Sequence, residues 1–139
     1  TPVADRAPVP DSSARLAGLR VLVVEDVADI RDVLAVLLRA EGADVAAAAT
    51  GREAADLIGR REFDVVLTDL GLPDIPGEAL VRLLRASSCR RPRIAVVTGY
   101  GEPYVSRARQ AGADVVFLKP VEWGRILDYL LHPGLAASA

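Results

Sequence analysis

Leu19-Arg20-Val21-Leu22-Val23-Val24-Glu25-Asp26 is a short Val- and Leu-rich run that stops on two adjacent acids. An apolar run of this length without alternation reads as a strand buried on both faces. The same form recurs along the chain. Asp64-Val65-Val66-Leu67-Thr68 stops on Asp69, Arg93-Ile94-Ala95-Val96-Val97 on Thr98-Gly99, and Val115-Val116-Phe117-Leu118 on Lys119-Pro120. Ala43 to Ala48 is a poor strand by propensity and takes its place from context alone.

Helical signals fill the gaps. Ile30, Val33, Leu34, Leu37 and Leu38 form one apolar helical stripe, and Gly42 stops it. Thr50, with Glu53 three residues on, predicts a capping box and a helix to about Gly59. Gly77 to Arg85 predicts a helix with Leu80, Leu83 and Leu84 inward. Pro103 suits the first position of a helix ending near Ala111-Gly112. Glu122 to Leu131 predicts the last, with Trp123, Ile126, Leu127 and Leu130 on one face. Strict alternation implies an α/β protein, a (βα)5 doubly wound five-stranded parallel sheet covered on both faces. Ligands of such sheets lie at the carboxyl ends of the strands.

The 139 residues, 51% hydrophobic and 26% charged, suit one globular domain. Residues 1–16 read as a flexible Pro/Ala linker, 17–132 as the domain and 133–139 as a C-terminal tail. With Thr1 first and no methionine, the chain is expected to be a piece of a longer protein. No apolar run approaches the ~20 residues of a membrane span, and no secretory signal pattern is present. No membrane contact and a cytoplasmic location are therefore expected. Net charge is −2 and no basic stretch is interleaved with aromatics, which argues against direct nucleic-acid binding. Arg90-Arg91-Pro92-Arg93 reads as a solvated loop. Cys89 is the only cysteine and His132 the only histidine, so no internal disulfide exists and Cys/His metal or Ser-His-Asp chemistry is disfavoured. No phosphate-binding P-loop or Gly-rich dinucleotide fingerprint follows any strand.

The strand ends carry the chemistry. Glu25, Asp26 and Asp69 bring three carboxylates to one rim, with the Thr98 hydroxyl and the Lys119 ammonium. Of 17 basic residues 16 are arginine, so Lys119 marks a position where a compact point charge replaces a planar fork. Each residue has a plain reading of its own: Asp26 or Asp29 as a helix cap, Asp69 as a loop acid, Thr98 as a buried β-branched residue. Together they are hard to set aside. Two carboxylates about 4 Å apart repel by roughly 4 kcal/mol at an effective dielectric of about 20. Three carboxylates and one ammonium leave two negative charges, which a divalent cation cancels. Hard oxygens on an open rim suit Mg²⁺, and a metal with open positions invites a phosphoryl group. Thr98 and Lys119 can bind its oxygens while Asp69 acts as nucleophile.

The chain resembles the receiver domains of two-component response regulators from about Leu19 to Leu131. The resemblance is carried by Glu25-Asp26, by Asp69-Leu70-Gly71-Leu72-Pro73-Asp74-Ile75-Pro76-Gly77, by Thr98-Gly99 and by Phe117-Leu118-Lys119-Pro120. It implies a flavodoxin-like strand order 2-1-3-4-5 and phosphoryl uptake by Asp69 from the phosphohistidine of a histidine kinase or histidine phosphotransfer domain. It further implies Mg²⁺ held by Glu25, Asp26, Asp69 and the backbone carbonyl of Gly71. Thr98, Lys119 and a backbone amide near Leu70 would bind the phosphoryl group. It also implies a cis Lys119-Pro120 bond and a two-state phosphorelay switch in which Thr98 moves inward. Such domains are phosphoproteins of signal transduction, stand-alone or within a hybrid histidine kinase, and not conventional enzymes alone.

One position departs from the family pattern. Val116 stands where an aromatic or histidine switch residue is usual, and alternation sends Phe117 to the opposite face, into the core. Tyr100 or Tyr104 can substitute, or Tyr100 can shield the site from water. A receiver-like interaction module that is never phosphorylated remains an alternative. A Mg²⁺-dependent aspartyl-phosphate phosphatase is another, although Gly71 stands where it needs a second acid. Oligomeric state, cognate kinase and output are open.

Overall fold

The computed structural model describes residues 14–87 and 91–133. Strands and helices alternate: β1 (Arg20–Val24), α1 (Ala28–Ala40), β2 (Asp44–Ala48), α2 (Gly51–Arg60), β3 (Val65–Thr68), α3 (Gly77–Ser87), β4 (Arg93–Thr98), α4 (Tyr104–Ala111), β5 (Val115–Leu118) and α5 (Trp123–Leu131). The five strands form one parallel sheet in the order β2-β1-β3-β4-β5. This is the expected order, with β1, β3 and β4 inside it.

Strand alternation divides the core between the two faces of the sheet. Val21, Val23, Val65, Leu67, Ala95 and Phe117 pack with α1 and α5. Leu22, Val24, Val66, Ile94 and Val96 pack with α2, α3 and α4. A strand must be apolar throughout to be buried on both faces, which is why these runs lack alternation. Thr50 caps α2 as expected, its Oγ1 accepting the Glu53 N–H at 3.1 Å, but the return bond of the capping box is displaced by one residue: Glu53 Oε1 accepts the N–H of Ala49, before the cap, at 2.7 Å. Gly42 ends α1 with φ +94°, a left-handed value that favours glycine.

Four details differ from expectation. Of the α1 stripe, Leu38 is buried, but Ile30 is 41% and Val33 56% exposed, and Ala35 takes their place inward. The upper half of α1 stands over a groove rather than over a neighbouring helix. In α3, Leu83 is only half-buried while Val81 joins Leu80 and Leu84 in the core. Pro103 is the residue before α4, not its first, because its ψ of 6° is not helical. Leu16, assigned to the linker, is buried, and its N–H donates to Glu41 O at 2.7 Å while Arg15 pairs with Glu41. The folded unit therefore begins before residue 17. Residues 1–13 of the linker, residues 88–90 with Cys89 and Arg90, and residues 134–139 of the tail lie outside the described residues. Among the described residues no helix is long and apolar enough to cross a membrane.

Candidate functional site

Parallel strands deliver their carboxyl ends to one edge, so chemistry separated by nearly a hundred residues meets there. Lys119, following β5, reaches across β4 to the residue after β3. Its Nζ donates to Asp69 Oδ2 at 2.9 Å and lies 3.9 Å from Glu25 Oε1. The other Asp69 oxygen, Oδ1, accepts the Gly71 N–H at 3.2 Å. Glu25 is buried, and its Oε2 accepts the Val27 N–H at 3.2 Å. Arg31 reaches back from α1 to donate to the Glu25 carbonyl at 2.8 Å, which fixes the turn carrying both acids. Asp26 is exposed beside it. Thr98 is fully buried, and its Oγ1 accepts the Tyr100 N–H at 3.0 Å. Its carbonyl accepts the Lys119 N–H at 2.8 Å, which ties the two strand ends together. The Lys119-Pro120 bond is cis, as the resemblance implied.

The charges are coupled. Burial raises the Glu25 carboxyl above the usual carboxylate range. A hydrogen bond with Asp26 and the charge of Asp69 push the same way, against the Val27 N–H and Lys119. For Lys119 burial opposes the ammonium. The Asp69 hydrogen bond, with the charges of Asp69, Glu25 and Asp26, outweighs burial and raises it. Among the described residues no three acidic, His or Cys side chains converge into a ready-made metal cage. Mg²⁺ does not need one, since it uses one or two carboxylates and keeps several waters. The donor set fits it: hard oxygens only, and a buried acid whose ionisation is opposed by its acidic neighbours and would be favoured by a cation.

Val116 and Phe117 face opposite sides of the sheet, as strand alternation implied. Val116 is half-buried on the α2–α4 face, whereas Phe117 packs on the other, with its ring 5.8 Å from that of buried Tyr129. Tyr100 and Tyr104 are half exposed, with rings 5.2 Å apart. The Tyr100 hydroxyl sits over Gly71, where it would be 3.4 Å from a Cβ at that position. Two features escaped sequence reasoning. Asp74 accepts the N–H groups of Gly51 at 2.9 Å and Arg52 at 3.0 Å. An acid in a Pro/Gly loop is a capping signal, but its helix lies more than twenty residues upstream. The second is an apolar groove of about 740 Å³ between α1 and α5, bordered by Ile30, Val33, Leu37 and Trp123 and ending at Asp69 and Lys119.

Known proteins share this sequence pattern and this fold. The response regulator receiver domain pattern matches residues 21–131. The chain is 36% identical over 110 residues to the response regulator protein PilR of Pseudomonas aeruginosa, covering 78% of this chain and 24% of PilR. It is 37% identical over 102 residues to the virulence transcriptional regulatory protein PhoP of Salmonella typhimurium, covering 73% of this chain and 46% of PhoP. The chain thus spans less than half the length of these relatives. Among solved structures, a response regulator from Burkholderia pseudomallei with a phosphorylated aspartic acid and a calcium ion superimposes with TM-score 0.76 at 30% identity, covering 86% of this chain and 69% of that one. The receiver domain of sensor histidine kinase PA1611 from Pseudomonas aeruginosa, with magnesium in its active-site cleft, does so with TM-score 0.75 at 27% identity, covering 88% of this chain and all of that one. With the strand order, the acidic rim and the Lys119–Asp69 contact in place, the chain belongs to the response regulator receiver domain family of two-component signalling.

Proposed function

We propose that Asp69 is the phosphoacceptor, taking its phosphoryl group from a phosphohistidine on a cytoplasmic histidine kinase or phosphotransfer domain. The carrying observation is the Lys119 ammonium 2.9 Å from Asp69 Oδ2. It is a fixed positive charge where a phosphoryl group would bring negative charge. In the transfer a carboxylate oxygen of Asp69 forms a bond to phosphorus. The phosphorus–nitrogen bond of the donor breaks, and the imidazole nitrogen keeps the electron pair. Glu25, Asp26, Asp69 and the Gly71 carbonyl would hold Mg²⁺, which supplies neutralisation of phosphoryl charge. Thr98 Oγ1 accepts the Tyr100 N–H and keeps its own proton to donate. Its movement toward a phosphoryl oxygen would pull on Tyr100, so the Tyr100–Tyr104 pair is the element that reports phosphorylation in place of Val116.

The test is incubation with acetyl phosphate and Mg²⁺, read by intact mass. A gain of one phosphoryl group, abolished by chelating the metal, is expected. No gain from acetyl phosphate or from phosphohistidine donors would leave a receiver-like interaction module instead.

The donor protein is expected to lay an apolar helix face into the α1–α5 groove, because that groove ends at Asp69 and Lys119. Val33, exposed on α1 at its border, carries no polar group that could take part in the transfer, so changing it separates docking from chemistry. Val33→Asp should slow transfer from a phosphohistidine donor by about tenfold or more, since a charge must be desolvated against apolar surface. Uptake from acetyl phosphate should stay at the wild-type rate. Equal rates from the protein donor would remove the groove from the docking surface.

A further inference from the structure

The loop from Asp69 to α3 is held at both ends. Near its start, Leu70 and Leu72 are buried. At its far end a Cβ on Gly77 would come within 2.7 Å of Leu70 Cβ, so only glycine lets α3 close on the residue beside Asp69. Midway, the Asp74 carboxylate spans two amides of another helix, Oδ1 taking the Gly51 N–H and Oδ2 the Arg52 N–H. Thr50 takes the third, that of Glu53. The first-turn amides of α2 are therefore shared between its own cap and the loop that follows Asp69. Ile75 deepens the contact, since a Cβ on Gly51 would fall 2.8 Å from Ile75 Cδ1. The attraction has a clear source: unpaired N–H groups and the positive end of a helix favour a carboxylate. The Gly51 N–H accordingly holds the Asp74 carboxyl below its ordinary range, with the Arg52 N–H adding to it against partial desolvation. Between the buried Leu70 and this clamp lies Gly71, whose N–H binds Asp69 Oδ1.

We infer that Asp74 is a positioning residue for phosphoryl transfer: it clamps the β3–α3 loop onto the start of α2, so that Gly71 stays on Asp69 and the carboxylate keeps its direction of attack. This rests on Asp69 being the phosphoacceptor. The test compares Asp74→Ala, Asp74→Asn and Thr50→Ala. Thr50→Ala removes the other cap of the same helix and leaves the loop contact intact. At saturating Mg²⁺ the acetyl phosphate reaction of Asp74→Ala should slow about tenfold, since small misplacements of a reacting group are costly. Asp74→Asn, which keeps one acceptor oxygen, should recover part of the loss, and Thr50→Ala should stay near wild type. Amide hydrogen exchange at Leu70 to Leu72 should quicken in Asp74→Ala and not in Thr50→Ala. Equal rates for Asp74→Ala and wild type, or equal losses in Asp74→Ala and Thr50→Ala, would overturn the inference. Unchanged exchange at Leu70 to Leu72 would overturn the clamp whether or not the wild type takes up phosphate. A wild type that takes up none would overturn the phosphoacceptor reading instead.

Discussion

Asp69→Asn should gain no phosphoryl group from acetyl phosphate and Mg²⁺ under conditions that modify the wild type, a loss of at least about a hundredfold in rate. The carboxamide keeps the shape of the side chain and loses the chemistry: its oxygen is a poor nucleophile and its nitrogen pair is delocalised into the carbonyl. The fold should survive. The amide oxygen can still accept from Lys119, which sits 2.9 Å from Oδ2, although the contact between Oδ1 and the Gly71 N–H is lost if the NH₂ faces it. The substitution has a second signature. Asp69's charge is one of the influences raising Glu25, so its removal should lower the titration midpoint of Glu25, seen by NMR. Intact mass beside the wild type decides the main point. Modification of Asp69→Asn at the wild-type rate would move the acceptor to another residue, with Asp26 the exposed acid of the same rim.

How much of this was legible in the residues follows from how local each signal is. The strands were legible because burial on both faces demands apolar residues throughout, as in Val21 to Val24 and Val65 to Leu67. The rim was legible because parallel topology converts strand ends into neighbours, which places Glu25, Asp69, Thr98 and Lys119 together with no knowledge of angles. Helix packing was less so. The Ile30–Val33–Leu37 stripe has the periodicity of a core-facing helix. Periodicity reports that one face is apolar and not what covers it, and Ile30 and Val33 stand half exposed at the groove. Val81 is buried where Leu83 was expected for a related reason: the two flank the Leu80–Leu84 stripe on opposite sides, and the rotation of α3 about its axis decides which of them turns inward. Asp74 was not legible at all, because the amides it meets belong to a helix more than twenty residues away in sequence.

The Val116 departure has a structural consequence. With a small aliphatic residue at that position on the α4 side of the sheet, no large ring lies beside Thr98 from β5. The aromatic material near Thr98 comes instead from Tyr100, in the β4–α4 connection, and from Tyr104, the first residue of α4. The Thr98 hydroxyl is bonded to the backbone of Tyr100 itself. Coupling from Thr98 to α4 can therefore run along the chain through one hydrogen bond, without a rotamer change in β5. Under the proposed phosphorylation of Asp69, a contact made in one conformation and not in another would be enough to shift a population along that route.

Lys119→Ala should slow phosphoryl uptake by about a hundredfold to a thousandfold, the usual effect of removing one preorganised charge or donor from the transition state. Lys119→Arg should recover only part of it and remain about tenfold below wild type. Elsewhere this chain uses arginine for every basic position, so a requirement for charge alone would be met by arginine here too. The geometry gives the reason it is not. One ammonium must sit 2.9 Å from Asp69 and 3.9 Å from Glu25, at the end of a side chain threaded across β4. A planar guanidinium brings five donors in a fixed fork and cannot present a single point to both acids. Removing the charge also acts on the acids. Lys119 is among the influences lowering Glu25, so Lys119→Ala pushes the Glu25 carboxyl further above its ordinary range and reduces its ionised fraction. The Mg²⁺ concentration for half-maximal uptake should therefore rise as pH falls, and at higher pH in the variant than in wild type. Rates measured across Mg²⁺ concentrations at two pH values separate these effects. A defect erased by excess Mg²⁺ at the higher pH would assign Lys119 to charge balance alone. A defect that persists at saturating Mg²⁺ would assign it to the phosphoryl group itself.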